Sequence, residues 1–376
     1  MSQTVYGVND PKAVRHYSGA LFGSTMAKSF FARNMMVDAH VIGKDGQMAN
    51  APVVIINDLT SEAGDKVSFD LYAQLTGQPT YGDDPLENNL EDLSAYTDEI
   101  IINQVAHGVD AGGNMTQKRV LTDLRSTARV KLNDYFAAMF DQACVTTLSG
   151  ARGVSNQLLI PQGATSAVAG TKPYDTYDSG HIAYGGVATS KASMVTSDKM
   201  TLSTLDSILT KISSEGGGAD GAFKVTPIDK DSDDTYILML SPKQENDLRT
   251  STNTGGWLDI QKAAAGATGE NSNLFKNTLG AYRGVYMRRY QHAVQFNDYG
   301  AGANDRADRA VLMGRQALAV EFGSASSKGL RADWKETELD LGRKLAVSAQ
   351  MCYGLKLPMF NGKVVNSVAI DTAVTP

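Results

Sequence analysis

Cysteine is almost absent from this 376-residue chain: Cys144 and Cys352 stand alone and far apart. Two thiols cannot make a disulfide framework, and they are too few for a structural zinc site, so both are expected as buried thiols in a reducing compartment. Proline is scarce at 10 residues against 36 glycines, so many turns must use positive φ without rigid punctuation. No run of about 20 apolar residues is present to span a membrane, and Met1-Ser2-Gln3-Thr4 opens no apolar signal region; a soluble protein made in a cytoplasm is expected. A net charge of −6 argues against a protein that wraps or reads nucleic acid, because phosphate contacts need an excess of Lys and Arg. It is compatible with a container that does not stick to its contents. Linear motifs for chemistry are missing too. The five histidines are scattered, Gly216-Gly217-Gly218 lacks the Lys-Ser/Thr of a phosphate loop, and no Gly-x-Ser-x-Gly elbow occurs. Asp229, Asp231 and Asp233 have calcium-loop spacing, but Asp234 stands where that loop needs Gly and Leu240 where it needs Glu. No cofactor or metal is therefore expected.

What is there has a consistent layout. The chain is 42% apolar and 20% charged, enough for a real core. Residues 1–50 are polar and rather basic: between Lys12 and Lys44 five bases (Lys12, Arg15, Lys28, Arg33, Lys44) face one acid, Asp38. Only Met26 to Met36 shows helix-like spacing, through Phe30, Phe31 and Met35. Such a segment cannot build its own core and is expected to lie, as an arm, on something else. Lys66 to Gln74 alternates with period two, as a half-exposed strand does, and Tyr96 to Val105 gives a second strand. The turn-rich, acidic stretch between them predicts a long two-stranded projection, which alone is marginal in water and should need a neighbour.

Leu121, Leu124, Ala128, Leu132, Tyr135, Met139 and Ala143 recur at three- and four-residue steps. They predict one spine helix over 115–148, roughly 50 Å long, capped by Asn114 or Thr116 and ended by Gly150. Residues 150–200 are rich in Gly, Ser, Thr and Ala and are expected as an irregular insertion. A mixed region follows: an amphipathic helix over 201–215, a buried strand at 236–240, and a helix opened by Pro242. Strands are expected at 284–290, 310–313, 317–322 and 344–355. The fold class is α+β, and no internal repeat is present.

Several short motifs, in order, carry a resemblance. They are Asp58-Leu59, Ala63-Gly64-Asp65-Lys66-Val67-Ser68-Phe69, Gly82-Asp83 and Leu86-Glu87, then Gln117-Lys118-Arg119, Asp123-Leu124-Arg125 and Ala128-Arg129. Leu312-Met313-Gly314-Arg315-Gln316-Ala317-Leu318 and Trp334-Lys335-Glu336 follow. Together they resemble the major capsid proteins of N4-like tailed bacteriophages, a branch of the Hong Kong 97 capsid superfamily. The resemblance implies an N-arm over 1–50, an extended loop over 51–110 and a peripheral domain over 111–200. It further implies an axial domain over 201–330 and a C-terminal return to the peripheral domain over 331–376. It implies a non-enzymatic subunit that assembles into hexamers and pentamers of an icosahedral head. Such a head encloses double-stranded DNA without sequence-specific binding, with assembly in the host cytoplasm. Decoration, scaffolding and portal proteins are the further partners it brings into view, and no membrane is involved. The namesake fold can be crosslinked through a loop Lys; none occurs from Thr76 to Ala95, so noncovalent shells are expected.

Charge suggests how such contacts are aimed. From Thr60 to Glu99 ten acids face one base, Lys66, whereas the early spine is basic. The acidic loop (Asp83, Asp84, Glu87, Glu91, Asp92) is expected to lie across the arm or spine of the next subunit (Arg15, Arg33, Lys118, Arg119, Arg125, Arg129). The competing reading makes both segments solvated faces. Rival functions are another self-assembling tube or layer subunit, or an enzyme with a dispersed site.

Overall fold

The computed structural model describes residues 11–38, 51–56, 64–72, 75, 77–82, 86–92, 95–120, 122–214, 225–228, 234–251, 281–325 and 330–374. Two helices, α1 (Pro11–Lys28) and α2 (Phe30–Asn34), lead into β1 (Met36–Asp38) and β2 (Val53–Ile56). Next come β3 (Lys66–Tyr72), β4 (Ala95–Ile101) and β5 (Asn103–Gly113), then α3 (Asn114–Arg119) and α4 (Leu124–Leu148). After an irregular stretch holding β6 (Ile182–Tyr184) come α5 (Leu202–Ser214), β7 (Tyr236–Leu240) and α6 (Pro242–Thr250). The remainder is strand: β8 (Ala281–Tyr282), β9 (Val285–Arg289), β10 (Gln295–Tyr299), β11 (Asp305–Met313) and β12 (Leu318–Phe322). β13 (Ala332–Leu339), β14 (Lys344–Lys356), β15 (Met359–Phe360), β16 (Lys363–Val364) and β17 (Ser367–Ala373) complete it.

Two mixed sheets carry the molecule. The first runs β1-β2-β12-β14-β13, with β5 also paired to β14. The second runs β6-β17-β11-β7-β9-β8, with β10 also paired to β11. The α4 helix buries its C-terminal half, including Phe136, Phe140, Cys144 and Leu148, in a cluster shared with both sheets: Val320, Phe322, Met351 and Tyr353 from the first, Val311, Met313 and Ala369 from the second. A second cluster seats Leu202, Leu205, Ile208 and Leu209 of α5 on Leu238, Leu240, Val285 and Leu312. The α6 start is written locally: Ser241 accepts from the Gln244 amide, Gln244 answers to the Ser241 amide, and Pro242 fills the first turn where no N–H is needed.

Three expectations need correction. The spine is two helices, not one over 115–148. Val120 is extended (φ −104°, ψ 130°), and Asp123 caps a fresh start by accepting from the Arg125 amide at 3.0 Å. Neither Asn114 nor Thr116 caps; Gly113 holds that place without a side-chain bond. The 25 residues of α4 span about 37 Å. The apolar period continued across the break because α3 and α4 follow one another, and period alone does not register a cap. The expected strand 96–105 is likewise divided at Ile102, since β4 pairs with β3 and β5 with β14.

The third correction concerns the arm. Its described part folds on its own subunit. The α1 and α2 helices bury Leu21, Phe31 and Met35 in the main cluster, and Phe22 meets Phe322 edge-on at 5.4 Å. Asp141 of α4 accepts from Ser29 Oγ at 2.6 Å, the Phe30 amide at 2.8 Å and the Phe31 amide at 3.3 Å, so a spine carboxylate satisfies the open start of α2. Lys28 pairs with Asp134 one face along, and Ser18 Oγ accepts from the Trp334 amide.

Asp308 is the most poorly matched group in the second sheet. It is 1% exposed and neither carboxylate oxygen has a hydrogen-bond partner. Burial raises its pKa; the Ser241 hydroxyl, near but outside hydrogen-bond geometry, and Lys243 offset this in part, while Asp247 adds to it. A carboxyl raised in the folded state binds protons more tightly folded than unfolded, so its ionised form weakens the fold above the native pKa and stability grows as pH falls through that value. Asp308→Asn should therefore raise stability by about 1–3 kcal/mol near neutral pH, and the gain should shrink on acidification. Thermal unfolding of the variant at neutral and mildly acidic pH checks both the sign and the trend.

Candidate assembly surfaces

The strands β3 and β4 pair antiparallel from Lys66–Ile101 to Tyr72–Ala95 as a two-stranded ribbon. Its root is buried through Val67, Asp98 and Ile100. Farther out it is exposed, and apolar side chains (Leu75, Tyr81, Leu86, Leu90) alternate with the exposed acids Glu87, Glu91 and Asp92. The Gly77 amide donates to Glu91 at 2.7 Å and Asn89 donates to Thr80 at 3.1 Å, which closes the outer segment on itself. Asp83 and Asp84 lie outside the described residues.

The basic set is more dispersed. Lys118 and Arg119 are exposed on α3, Arg129 is exposed on α4, and Arg33 is exposed at the end of α2. The Arg15 backbone lies in α1; its side chain is outside the described residues. Arg125 is already engaged within the subunit: its Nε and Nη2 donate to Glu336 Oε1 at 2.9 and 2.8 Å, and Trp334 Nε1 donates to the same oxygen at 2.9 Å. Two motifs far apart in sequence, Asp123-Leu124-Arg125 and Trp334-Lys335-Glu336, thus meet in one ion pair.

Sequence reasoning missed the ribbon root. Lys356 Nζ, at the end of β14, lies 2.7 Å from Asp175 and 3.5 Å from Asp98, with the lysine side chain only 6% exposed and that of Asp98 8%. Beside it Glu99 sits 3.0 Å from Lys172 and 3.9 Å from Lys66. The hydrogen bond and charge of Lys172 hold the Glu99 pKa below its ordinary range, whereas burial raises that of Asp175 against the pull of Lys356. One signal was available: in a strand of period two, Asp98 falls on the face of Ile100, and an acid on a buried face needs a partner.

Nothing described assembles a reaction centre. His107 stacks on Tyr135 with ring centroids 4.1 Å apart, and His181 Nδ1 is held by Asp178 at 2.9 Å. Among the described residues no three His, Cys, Asp or Glu side chains group for a metal, and no helix is long and apolar enough to cross a membrane. The Gly216-Gly217-Gly218 run and Asp229, Asp231 and Asp233 lie outside the described residues.

A shared core beneath two sheets and an outlying ribbon with an exposed apolar and acidic end define a structural, assembly-type subunit. The chain belongs to the phage capsid protein family, whose model matches residues 5–375. The capsid of Ralstonia phage GP4 is similar over 100% of this chain and 99% of its own, at 37% identity and a TM-score of 0.79. The Cyanophage Pam1 capsid shares the fold at 18% identity and a TM-score of 0.68, over 87% and 90% of the two chains. A major capsid protein of Pseudomonas phage KPP25 is 30% identical over 120 residues, which is 32% of this chain and 31% of that protein. The mixed α/β architecture is thus that of Hong Kong 97-like phage capsids, and the protein is a component of the virion.

Proposed function

We propose that this chain is the major subunit of an icosahedral phage head, assembling with copies of itself into hexamers and pentamers around double-stranded DNA and carrying no catalytic activity. The observation that carries this reading is end-to-end likeness to the GP4 capsid at 37% identity. The ribbon supports a contact mode: an exposed, apolar and acidic projection is stable only against another surface. The exposed cations Lys118 and Arg119 on the next copy supply opposite charge, with Arg129 and, in the arm, Arg33 and Arg15 as further candidates; Arg125 pairs with Glu336 in its own subunit. Surface pairs give about 0–1 kcal/mol each, so registry and assembly rate are set by charge and strength by repetition.

In this reading 1–50 acts as the N-arm, 51–110 as the extended loop, 111–200 with 331–376 as the peripheral domain and 201–330 as the axial domain. The motif order favours the N4-like branch. Assembly takes place in the host cytoplasm, and scaffolding, portal and decoration proteins are the expected additional partners. Reversing Asp83, Asp84, Glu91 and Asp92 to Lys should block shell formation while leaving a folded subunit. Negative-stain electron microscopy of the expressed protein reads this directly: closed particles from the unmodified chain and none from the variant. Normal shells from the variant would refute the contact mode.

A further inference from the structure

We propose that Lys356, held between Asp98 and Asp175, is the pin that sets the angle at which the ribbon leaves the body of the subunit. This rests on the ribbon contact proposed above and adds what aims it. The ribbon is held at its base, where Val67, Asp98 and Ile100 are buried, and again at Tyr96, whose ring lies 5.9 Å from that of Phe360; beyond these the described outer segment is largely exposed. The direction of the projection is thus set along β4, and its charged contacts lie at the root. Three elements meet there. Lys356 belongs to the first sheet, paired with Ala319 of β12. Asp98 belongs to the ribbon, where its carboxylate also accepts from its neighbour's amide, Glu99, at 2.8 Å and from the Met359 amide at 3.4 Å. Asp175 belongs to the irregular stretch after α4, which reaches the ribbon a second time through Lys172 and Glu99.

Backbone contact closes the same joint. A Cβ on Gly354 would come within 2.4 Å of the Ile101 carbonyl oxygen, so β14 and β4 touch where only glycine fits. Leverage makes the joint matter. Seven residues of strand reach about 23 Å, so a tilt of about 10° over such a length displaces the segment beyond the strands sideways by about 4 Å. A gap of about 1 Å already forfeits much of a packing contact. Buried ion groups often contribute little net stability compared with apolar residues of the same shape; the role assigned to this one is to fix geometry. That is the property a repeated contact between copies requires.

The test compares four full-length chains by thermal unfolding and by electron microscopy of the particles formed. They are the unmodified protein, the tip reversal above, a neutral root (Asp98→Asn, Asp175→Asn, Lys356→Met) and Lys356→Arg. The neutral root should unfold near the unmodified temperature yet give about tenfold fewer closed shells, or shells of mixed diameter. Lys356→Arg keeps the charge but lengthens the pin, so it should assemble with a shifted or broadened diameter. If the neutral root does not fold, Lys356→Arg decides alone. Uniform shells of the original diameter from Lys356→Arg, or from a folded neutral root, overturn the proposal. Tip reversal separates the two readings: blocked shells from it beside normal shells from the root variants sink only the pin, and normal shells from it sink the ribbon contact itself.

Discussion

Arg309→Met should destabilise the subunit by about 3–5 kcal/mol, among the largest effects of any single substitution in the described residues. Arg309 of β11 donates through Nε and Nη2 to the two oxygens of Asp371 at 2.6 and 2.7 Å, and through Nη1 to the Ser149 carbonyl at 2.8 Å, just past the end of α4. Asp371 is 0% exposed and also accepts from Tyr299 Oη at 2.6 Å. Burial by itself would lower the Arg309 pKa, but the paired carboxylate more than reverses this and holds the guanidinium firmly charged. Methionine would fill part of the space and leave a buried carboxylate with one hydroxyl donor. It would also free the carbonyl that ties the spine to the second sheet, where Tyr177 Oη donates to the Leu148 carbonyl at 2.7 Å and accepts from Ser367 Oγ at 3.0 Å. Arg309→Met with Asp371→Asn should cost much less than the two changes added separately, because the cost lies in the unpaired charge. Denaturant unfolding of the two single variants and the double variant measures this; additive losses would mean that the pair is not coupled.

Phe31→Ala should cost about 3–5 kcal/mol, with the loss falling first on the arm. Phe31 is 0% exposed and meets Phe30 and Tyr290 with ring centroids 5.5 and 6.1 Å away. The polar clasp of Asp141 on the start of α2 holds the helix only if Phe31 stays seated beneath it. Amide hydrogen exchange over α1 and α2 should accelerate strongly in the variant, while β11 and β17 keep their protection. Unchanged exchange over the arm would show that its docking does not depend on this side chain.

Much of the architecture was legible because it is written in local period and turn chemistry. The apolar run at 236–240, the Pro242 that opens the next helix and the period-two alternation from Lys66 each match the element found there. The misreadings share a cause. The arm looked too polar to pack because one face, with Leu21 and Phe31, is apolar and finds its partners on α4 and the first sheet, far away in sequence. The spine looked continuous because an N-cap such as Asp123 interrupts a helix without interrupting its apolar spacing. At the candidate contact surface the sequence marks charge but not its use. Nothing near Arg125 in the sequence points to Glu336, 211 positions on, which engages it. Lys356, Asp98 and Asp175 are equally distant in sequence, and only folding makes them a unit.

The apolar cluster that runs through arm, spine and both sheets leaves the subunit without a seam. A hybrid built by exchanging either sheet with that of a relative would have to match side chains across the whole interior at once. The ribbon is different, because its outer segment lies apart from that interior. It is the part most open to exchange as one piece, provided Gly354, the three charges at its foot and the acids at its outer end stay as they are.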